Sequence, residues 1–300
     1  MPKMNSKTRN ARRPLVSIVM LCHNDGRYLM DCLGLISTYT DARRTPYEII
    51  VVDNASQDGS RTELRRLSRS GRIRLIENPV NRYFAGGNNQ GVRIAKGDYV
   101  LLFNPDTLVG PEWLERLVRC AEAEADTGVV GPYTNGSVGS QLVTGAAYAV
   151  PQGFPRFARE WAERYDGLRR ETHRLIGFCL LVPRRTLHTV GLLDERFGPG
   201  GYEDYDYCMR VRQAGLTVVI AEDVFIHHYG GKGYVGMDYD ALRHRNREIL
   251  ARKWCAYSVN VLDELDQFLV RKVTRSSGGP SARATARPKR RSLSYSRGSN

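Results

Sequence analysis

An α/β fold with a Rossmann-like, mostly parallel sheet flanked by helices is predicted by three features of the sequence. Short apolar runs alternate with stretches of helical spacing through the first half of the chain. Turn residues and carboxylates follow the ends of those runs. The stretch from 14 to 270 also has the length of one α/β domain with a generous core.

Val16 to Cys22 is a short apolar run ending at His23-Asn24-Asp25-Gly26, which reads as a strand and a turn. Tyr28 to Tyr39 has helical spacing, and Glu48 to Val52 is a second strand closed by Asp53. Ser60-Arg61-Thr62-Glu63 fits a capping box that starts a helix carrying Leu64 and Leu67. Arg72 to Glu77 is a third strand. Asn78 to Gly91 reads as a Gly/Asn-rich loop that runs into a helix through Ala95. Tyr99 to Phe103 is a fourth strand, and Pro111 suits the first position of the Trp113 helix. Thr127 to Pro155, uncharged and broken by Gly, Pro, Asn and Ser, reads as strands and loops. Leu175 to Val182 is a buried strand and Pro183 to Val190 a short helix. Gly198 to Gly201 leads into Glu203-Asp204-Tyr205-Asp206, on a helix that ends at Gly215. Thr217–Ala221 and Val224–His228 read as two short strands, and Tyr239 to Ala256 as a closing helix.

The formal net charge of +13 is not spread evenly. Residues 1–13 hold five basic side chains and residues 271–300 hold nine, neither with an acid, so 14–270 has 31 basic against 32 acidic residues. The two Ser-, Gly-, Pro- and Arg-rich ends are expected to be disordered basic tails on a balanced body. Nucleic acid is therefore not the expected partner of the body, while the C-terminal tail suits an anionic membrane face. Six cysteines without a CxxC pair fit reduced thiols in a cytoplasmic protein. No apolar run is long enough for a membrane span, and the N-terminus lacks the apolar core of a secretory signal.

Asp53 and Asn104-Pro105-Asp106 close apolar strands, and the acidic cluster of residues 203–206 follows about a hundred residues later. Open α/β sheets bind ligands beyond the carboxyl ends of their strands, so these groups can converge on one crevice. Such an arrangement suits an enzyme handling a metal-bound diphosphate. Asp206 and Arg210 stand four apart, the spacing of a helical ion pair.

Together these segments resemble glycosyltransferase family 2, inverting enzymes of the nucleotide-sugar fold called GT-A, and most closely its rhamnosyltransferase-like branch. The motifs recur in the family's order: Val16-Ser-Ile-Val, Val51-Val-Asp-Asn-Ala-Ser-Gln-Asp58, Phe84-Ala-Gly-Gly-Asn-Asn-Gln-Gly91, Asn104-Pro-Asp106, Gly191-Leu-Leu-Asp-Glu195, Glu203-Asp-Tyr-Asp206 and His227-His-Tyr-Gly230. Asn104 stands where many relatives have the first aspartate of Asp-x-Asp, and Tyr83 where they have glycine. The resemblance implies nucleotide-sugar contacts from Asn24, Asp53, Gly86, Gly87, Asn88 and Asn104. It implies Mg²⁺ or Mn²⁺ held by Asp106 and His227, with His228 the competing histidine. It implies Asp204 as the general base, with Glu203 orienting the acceptor or raising the base's proton affinity. The body then divides into a nucleotide-sugar half (14–110), an acceptor half (111–230) and a C-terminal helical segment (231–270).

The implied donor is a dTDP-, UDP- or GDP-linked sugar, rhamnose among the candidates. The implied acceptor is a glycan or lipid-linked saccharide of polysaccharide or cell-wall biosynthesis, at the inner face of the plasma membrane. Two other classes remain as alternatives. A nucleotidyltransferase would usually show a Gly-rich basic loop after the first strand, where this chain has Leu21-Cys-His-Asn-Asp-Gly26. A non-catalytic nucleotide-sugar-binding module would be expected to lose the base, and Asp204 is present.

Overall fold

The computed structural model describes residues 13–136, 139–230 and 238–254. Both basic tails, and the segment 231–270 beyond residue 254 together with 231–237, lie outside the described residues.

The elements run β1 (Val16–Cys22), α1 (Gly26–Tyr39), β2 (Tyr47–Asp53), α2 (Ser60–Arg69), β3 (Arg74–Glu77), α3 (Tyr83–Ile94), β4 (Tyr99–Phe103), β5 (Thr107–Leu108), α4 (Trp113–Glu122), β6 (Thr127–Thr134), α5 (Phe154–Arg164), β7 (Arg169–Glu171), β8 (Cys179–Pro183), α6 (Arg184–Val190), α7 (Glu203–Gln213), β9 (Thr217–His228) and α8 (Tyr239–Trp254). The sheet order is β3-β2-β1-β4-β8-β6-β9-β5, with β7 also paired to β9. β3, β2, β1 and β4 are mutually parallel, the pattern of a nucleotide-binding half. β8 inserts antiparallel between β4 and β6, and β9 pairs parallel with β6. Two reversals bring β9 back to the direction of β4. Its carboxyl end, His227-His228, therefore lies on the sheet edge where β1, β2 and β4 end.

Alternation along β1 shares the core between the two faces. Val16, Ile18, Met20 and Cys22 pack with α1 and α4 residues such as Leu29, Ile36 and Leu117. Val19 packs with Ala85 and Val92 of α3 and with Tyr207 and Val211 of α7.

Three local expectations change. The Gly/Asn stretch from Tyr83 onward is helix rather than loop, because its glycines let α3 lie flush on β1. A Cβ on Gly87 would sit 2.4 Å from Leu21 Cδ2, and one on Gly91 2.3 Å from Val19 Cγ1. The capping box at Ser60 does not form. Gly59 is the cap residue, and the Asp58 carboxylate accepts from the amides of Ser60 (3.1 Å) and Gly26 (3.0 Å), tying the starts of α2 and α1 together. The two short strands at 217–228 are one strand, whose register against β6 shifts between Pro132 and Tyr133. At that irregularity Asp223 is buried against Arg116 (3.2 Å) and Arg119 (2.5 Å), so two acids in sequence mark a bulge rather than a chain break. The described part of the stretch from Thr127 to Pro155 is, as expected, strand and loops up to its last two residues, where α5 begins and docks Phe154 and Ala158 on Leu108 and Phe225.

The flush contact of α3 on β1 is open to test. Gly91→Ala forces a methyl group into the branched side chain of Val19, and overpacking of this kind costs roughly 1–3 kcal/mol. Urea unfolding of the variant should show a lower midpoint with an unchanged slope.

Candidate active site

At the shared edge the loops after β1 and β2 lock together. Asn24, with a left-handed φ of 60°, donates its amide to Ser56 Oγ (3.1 Å) and accepts from the Gln57 amide at Oδ1 (2.7 Å). Asn54 Oδ1 accepts from Asn78 Nδ2 (2.8 Å), and Asn54 Nδ2 donates to the Tyr83 carbonyl (3.2 Å). The Asp53 carboxylate is fully enclosed and accepts from Arg61 (2.5 Å) and the Ser56 amide (3.2 Å). Arg61 in turn donates to the Asn78 carbonyl (2.8 Å). Asn24 thus ties the two loops together, and Arg61 covers the Asp53 carboxylate.

Gly86, Gly87 and Asn88 lie on the buried first turns of α3. Asn88 Nδ2 donates to the Phe84 carbonyl (3.0 Å), inside its own helix. Gly87 brings the helix against Leu21 of β1 and Asn54, and Gly86 faces Arg82 and Glu195. All three stand on a helix rather than in a loop.

The neighbouring corner of this edge, the candidate for a metal, is built from β4, β5 and β9. β5 pairs Thr107 with His228, which sets the end of β9 over the Asn104-Pro105-Asp106 turn. Asp106 Oδ2 accepts from the Gly230 amide (3.1 Å), while Asp106 Oδ1 lies 3.3 Å from His228 Nε2. Asn104 Nδ2 stands 3.5 Å from the same nitrogen. His228 Nδ1 donates to the Gly136 carbonyl at 2.7 Å, so Nε2 is the ring nitrogen that faces the carboxylate and can act as a ligand. Two acceptors at this spacing suit a cation between them, and a backbone-anchored second nitrogen is the usual support of a metal-binding histidine. The residues present therefore fit a divalent ion that completes its shell with phosphate and water. Among the described residues no group of three or more His, Cys, Asp or Glu side chains is placed to cage a metal unaided.

His228, rather than His227, is the histidine that reaches Asp106. Successive residues of β9 face opposite sides, and His227 points into an aromatic cluster. Its Nδ1 meets the Tyr148 hydroxyl (2.8 Å), and its ring lies edge-on to Tyr148, Phe154 and Tyr229. Burial holds its pKa below the ordinary value, with the charge of His228 adding to the effect and Asp106 opposing it.

The acid pair opens α7. Asp204 is 7% exposed and accepts from the Gly177 amide (2.9 Å) and the Tyr205 amide (2.7 Å). Glu203 is 5% exposed, and its Oε2 has no hydrogen-bond partner among the described residues. Burial, and then the Asp204 charge, raise its carboxyl to about 8, so it holds its proton at neutral pH. Asp206 forms the expected ion pair with Arg210 (2.9 Å) and also meets Trp254 Nε1 (2.9 Å) and Lys253 (2.7 Å) of α8. Gly200, Gly201 and Tyr202, all at positive φ, make the sharp entry to α7. Asn246 of α8 pins that entry by donating to the carbonyls of Phe197 (2.7 Å), Gly200 and Gly201 (both 3.0 Å).

Gly177 and Phe178, just ahead of β8, were not singled out in the sequence, yet they join the two sides. Gly177 donates to Asp204; the Phe178 carbonyl accepts from the Asn104 amide (2.8 Å); the Phe178 ring stacks on His228 at 4.8 Å. A glycine followed by an aromatic at the head of an apolar strand was the available signal, and apolar burial hid it.

The family model for glycosyl transferase family 2 matches residues 17–190. The chain is 27% identical over 241 residues to an N-acetylglucosaminyl-diphospho-decaprenol L-rhamnosyltransferase of Mycobacterium tuberculosis, covering 71% of this chain and 76% of that one. It is 26% identical over 228 residues to glycosyltransferase AglE of Haloferax volcanii, covering 72% and 67%. A Sinorhizobium fredii relative of undescribed activity, 26% identical over 245 residues, is spanned over only 27% of its length. In structure the chain is similar to GalNAc-T7 with UDP, GalNAc and Mn²⁺ (TM-score 0.62, 15% identity, 81% of this chain and 48% of that one). It is also similar to a mannosyltransferase of Pyrobaculum calidifontis with GDP-Man and Mn²⁺ (TM-score 0.55, 21% identity, 74% and 59%). These two likenesses identify the fold as GT-A. Because the family match spans more than half of the sequence, on a GT-A fold, the chain belongs to glycosyltransferase family 2.

Proposed function

We propose that this chain is an inverting glycosyltransferase that moves a sugar from a nucleotide diphosphate to a hydroxyl of a glycan or lipid-linked saccharide. The observation that supports this most is the Gly177-Phe178 link, which fixes a buried acid pair beside a histidine–carboxylate pair at one sheet edge. The mycobacterial relative, named for L-rhamnosyl transfer to a diphospho-lipid saccharide, makes rhamnose and a lipid-linked acceptor the favoured pair. The nucleotides named with the similar structures are consistent with a UDP-, GDP- or dTDP-linked donor.

In an inverting transfer the acceptor oxygen attacks the anomeric carbon while the bond from that carbon to the diphosphate oxygen breaks. Asp204 receives the acceptor proton, and the amides of Gly177 and Tyr205 hold its carboxylate in place. Glu203, its carboxyl raised by burial, can donate to an acceptor oxygen through the Oε2 that has no partner among the described residues. Asp106 and His228 would hold Mg²⁺ or Mn²⁺, which supplies positive charge to the leaving diphosphate. No helix among the described residues is long and apolar enough to cross a membrane. The basic tail at 271–300 is proposed to bring the enzyme to an anionic membrane face at the cytoplasmic side, where lipid-linked acceptors would be met.

Asp204→Asn keeps the shape of the base and removes its proton affinity. Turnover, followed as nucleotide release, should fall by about 10²–10⁴ while calorimetric donor binding stays near the parent value. A variant as fast as the parent would move the base elsewhere. Asp106→Ala should abolish turnover and remove the dependence of donor affinity on Mg²⁺ or Mn²⁺. Full parent activity in EDTA would reject a metal at this position.

The third expectation concerns pH. The folded state holds the Glu203 proton to about pH 8, whereas an unfolded glutamate releases it near 4.5. The stability linked to that proton is therefore complete at acid pH and lost as pH rises from about 4.5 through about 8. Glu203→Gln removes the loss. Thermal melts should show the variant gaining on the parent steadily between pH 5 and pH 8, and parallel profiles would contradict the raised pKa.

A further inference from the structure

Tyr83 opens α3 with φ at 59°, a left-handed conformation that favours glycine and that bulky side chains rarely adopt. Two asparagines hold it there from both sides. The Tyr83 amide donates to Asn81 Oδ1 (2.7 Å), and its carbonyl accepts from Asn54 Nδ2 (3.2 Å). Its side chain belongs to none of the core clusters and is 41% exposed. A strained residue that contributes little to the core is retained for something other than stability. Glycine would satisfy the same backbone at lower cost, so the phenol ring itself is what the position keeps.

The place of Tyr83 in the fold follows from its backbone partners and its neighbour in sequence. Asn54, bonded to the Tyr83 carbonyl, follows Asp53 at the end of β2, on the donor side. The next residue, Phe84, reaches the opposite side: a Cβ built on Gly177 would lie 3.1 Å from the Phe84 ring and 3.5 Å from Asp204 Cβ. Tyr83 therefore stands on the lip between the nucleotide loops and the proposed base. In a single displacement the sugar being transferred must span that interval, because its anomeric carbon lies between the leaving diphosphate and the deprotonated acceptor. Nearby, Glu203 Oε2 is buried without a partner among the described residues, a polar group whose bond a saccharide hydroxyl would complete.

We propose that Tyr83 is a specificity-determining residue that covers the transferred sugar of the donor, its ring lying against the apolar C–H face of a pyranose. The proposal rests on the glycosyltransferase reading and adds the donor subsite to it. An aromatic ring is a flat apolar surface with a polar rim, and it selects sugars that present an unbroken C–H face over those with an axial hydroxyl toward it.

The test uses the full-length protein, with Mg²⁺, and calorimetry against three pairs of probes: UDP-glucose and UDP, GDP-mannose and GDP, dTDP-rhamnose and dTDP. For the sugar conjugate that the parent prefers, Tyr83→Ala and Tyr83→Gly should weaken binding about tenfold, which corresponds to about 1.4 kcal/mol. Affinity for the matching free diphosphate should not change, and Tyr83→Phe should behave as the parent. Tyr83→Gly should also melt at a higher temperature than the parent, since it releases the left-handed strain. Equal weakening of conjugate and free diphosphate would overturn the proposal by placing Tyr83 on the nucleotide. Unchanged conjugate affinity in Tyr83→Ala would overturn it by removing the sugar contact. A parent that binds neither member of any pair would overturn the glycosyltransferase reading, and this subsite with it.

Discussion

The antiparallel insertion of β8 is the constraint on which the candidate site depends. Because β8 runs against β4, its first residues rather than its last stand at the ligand-binding edge, and Cys179 sits opposite Phe103. The two residues before it, Gly177 and Phe178, are therefore held by sheet register beside Asn104 and His228. One backbone amide then orients the buried Asp204 carboxylate, and one ring orients His228. A carboxylate this deeply enclosed needs donors of fixed position, and strand pairing fixes an amide more firmly than a side chain can. Gly177 leaves room for Phe84 and Asp204 to close over it, so α3, β8 and α7 meet where a single side chain would separate them.

The family and the broad fold were legible in the sequence because strand-end chemistry is local. Apolar runs closed by Asp53 and Asn104-Pro105-Asp106 announce both a strand and its functional end. Long-range facts were not legible. Alternation along 224–228 showed that His227 and His228 face opposite ways, but only the pairing of β5 with β9 decides which one meets Asp106. Glycines 86, 87 and 91 were read as loop because glycine is a poor helix former. Tertiary packing on Leu21 and Val19 overrode that preference. The acids at 222 and 223 broke the apolar run of β9, yet Asp223 is buried because Arg116 and Arg119 pair with it from α4. The ion pair of Asp206 and Arg210 was legible because it depends only on helical spacing.

Electrostatics divides the site in two. At the strand ends Asp53 is paired with Arg61, and Asp106 faces a histidine and an amide. At the start of α7 Glu203 and Asp204 lie next to each other, and burial together with the Asp204 charge raises the Glu203 carboxyl. Burial forces that asymmetry, and it gives adjacent carboxyl groups different capacities: one suited to donate a hydrogen bond, the other to accept a proton.

The docking of α8 sets the smallest piece of this chain that can be expected to fold. Trp254 and Lys253 close over Asp206, which is wholly buried, and Asn246 satisfies three carbonyls at the entry to α7. The family match ends at residue 190, before α7, β9 and α8. A fragment cut at that boundary would keep the nucleotide loops but lose β9, an interior strand of the sheet, and with it both the acid pair and His228. The unit of inheritance recognised by sequence is thus shorter than the unit of folding. Any expression boundary for this protein belongs beyond Trp254, where the last buried carboxylate is closed.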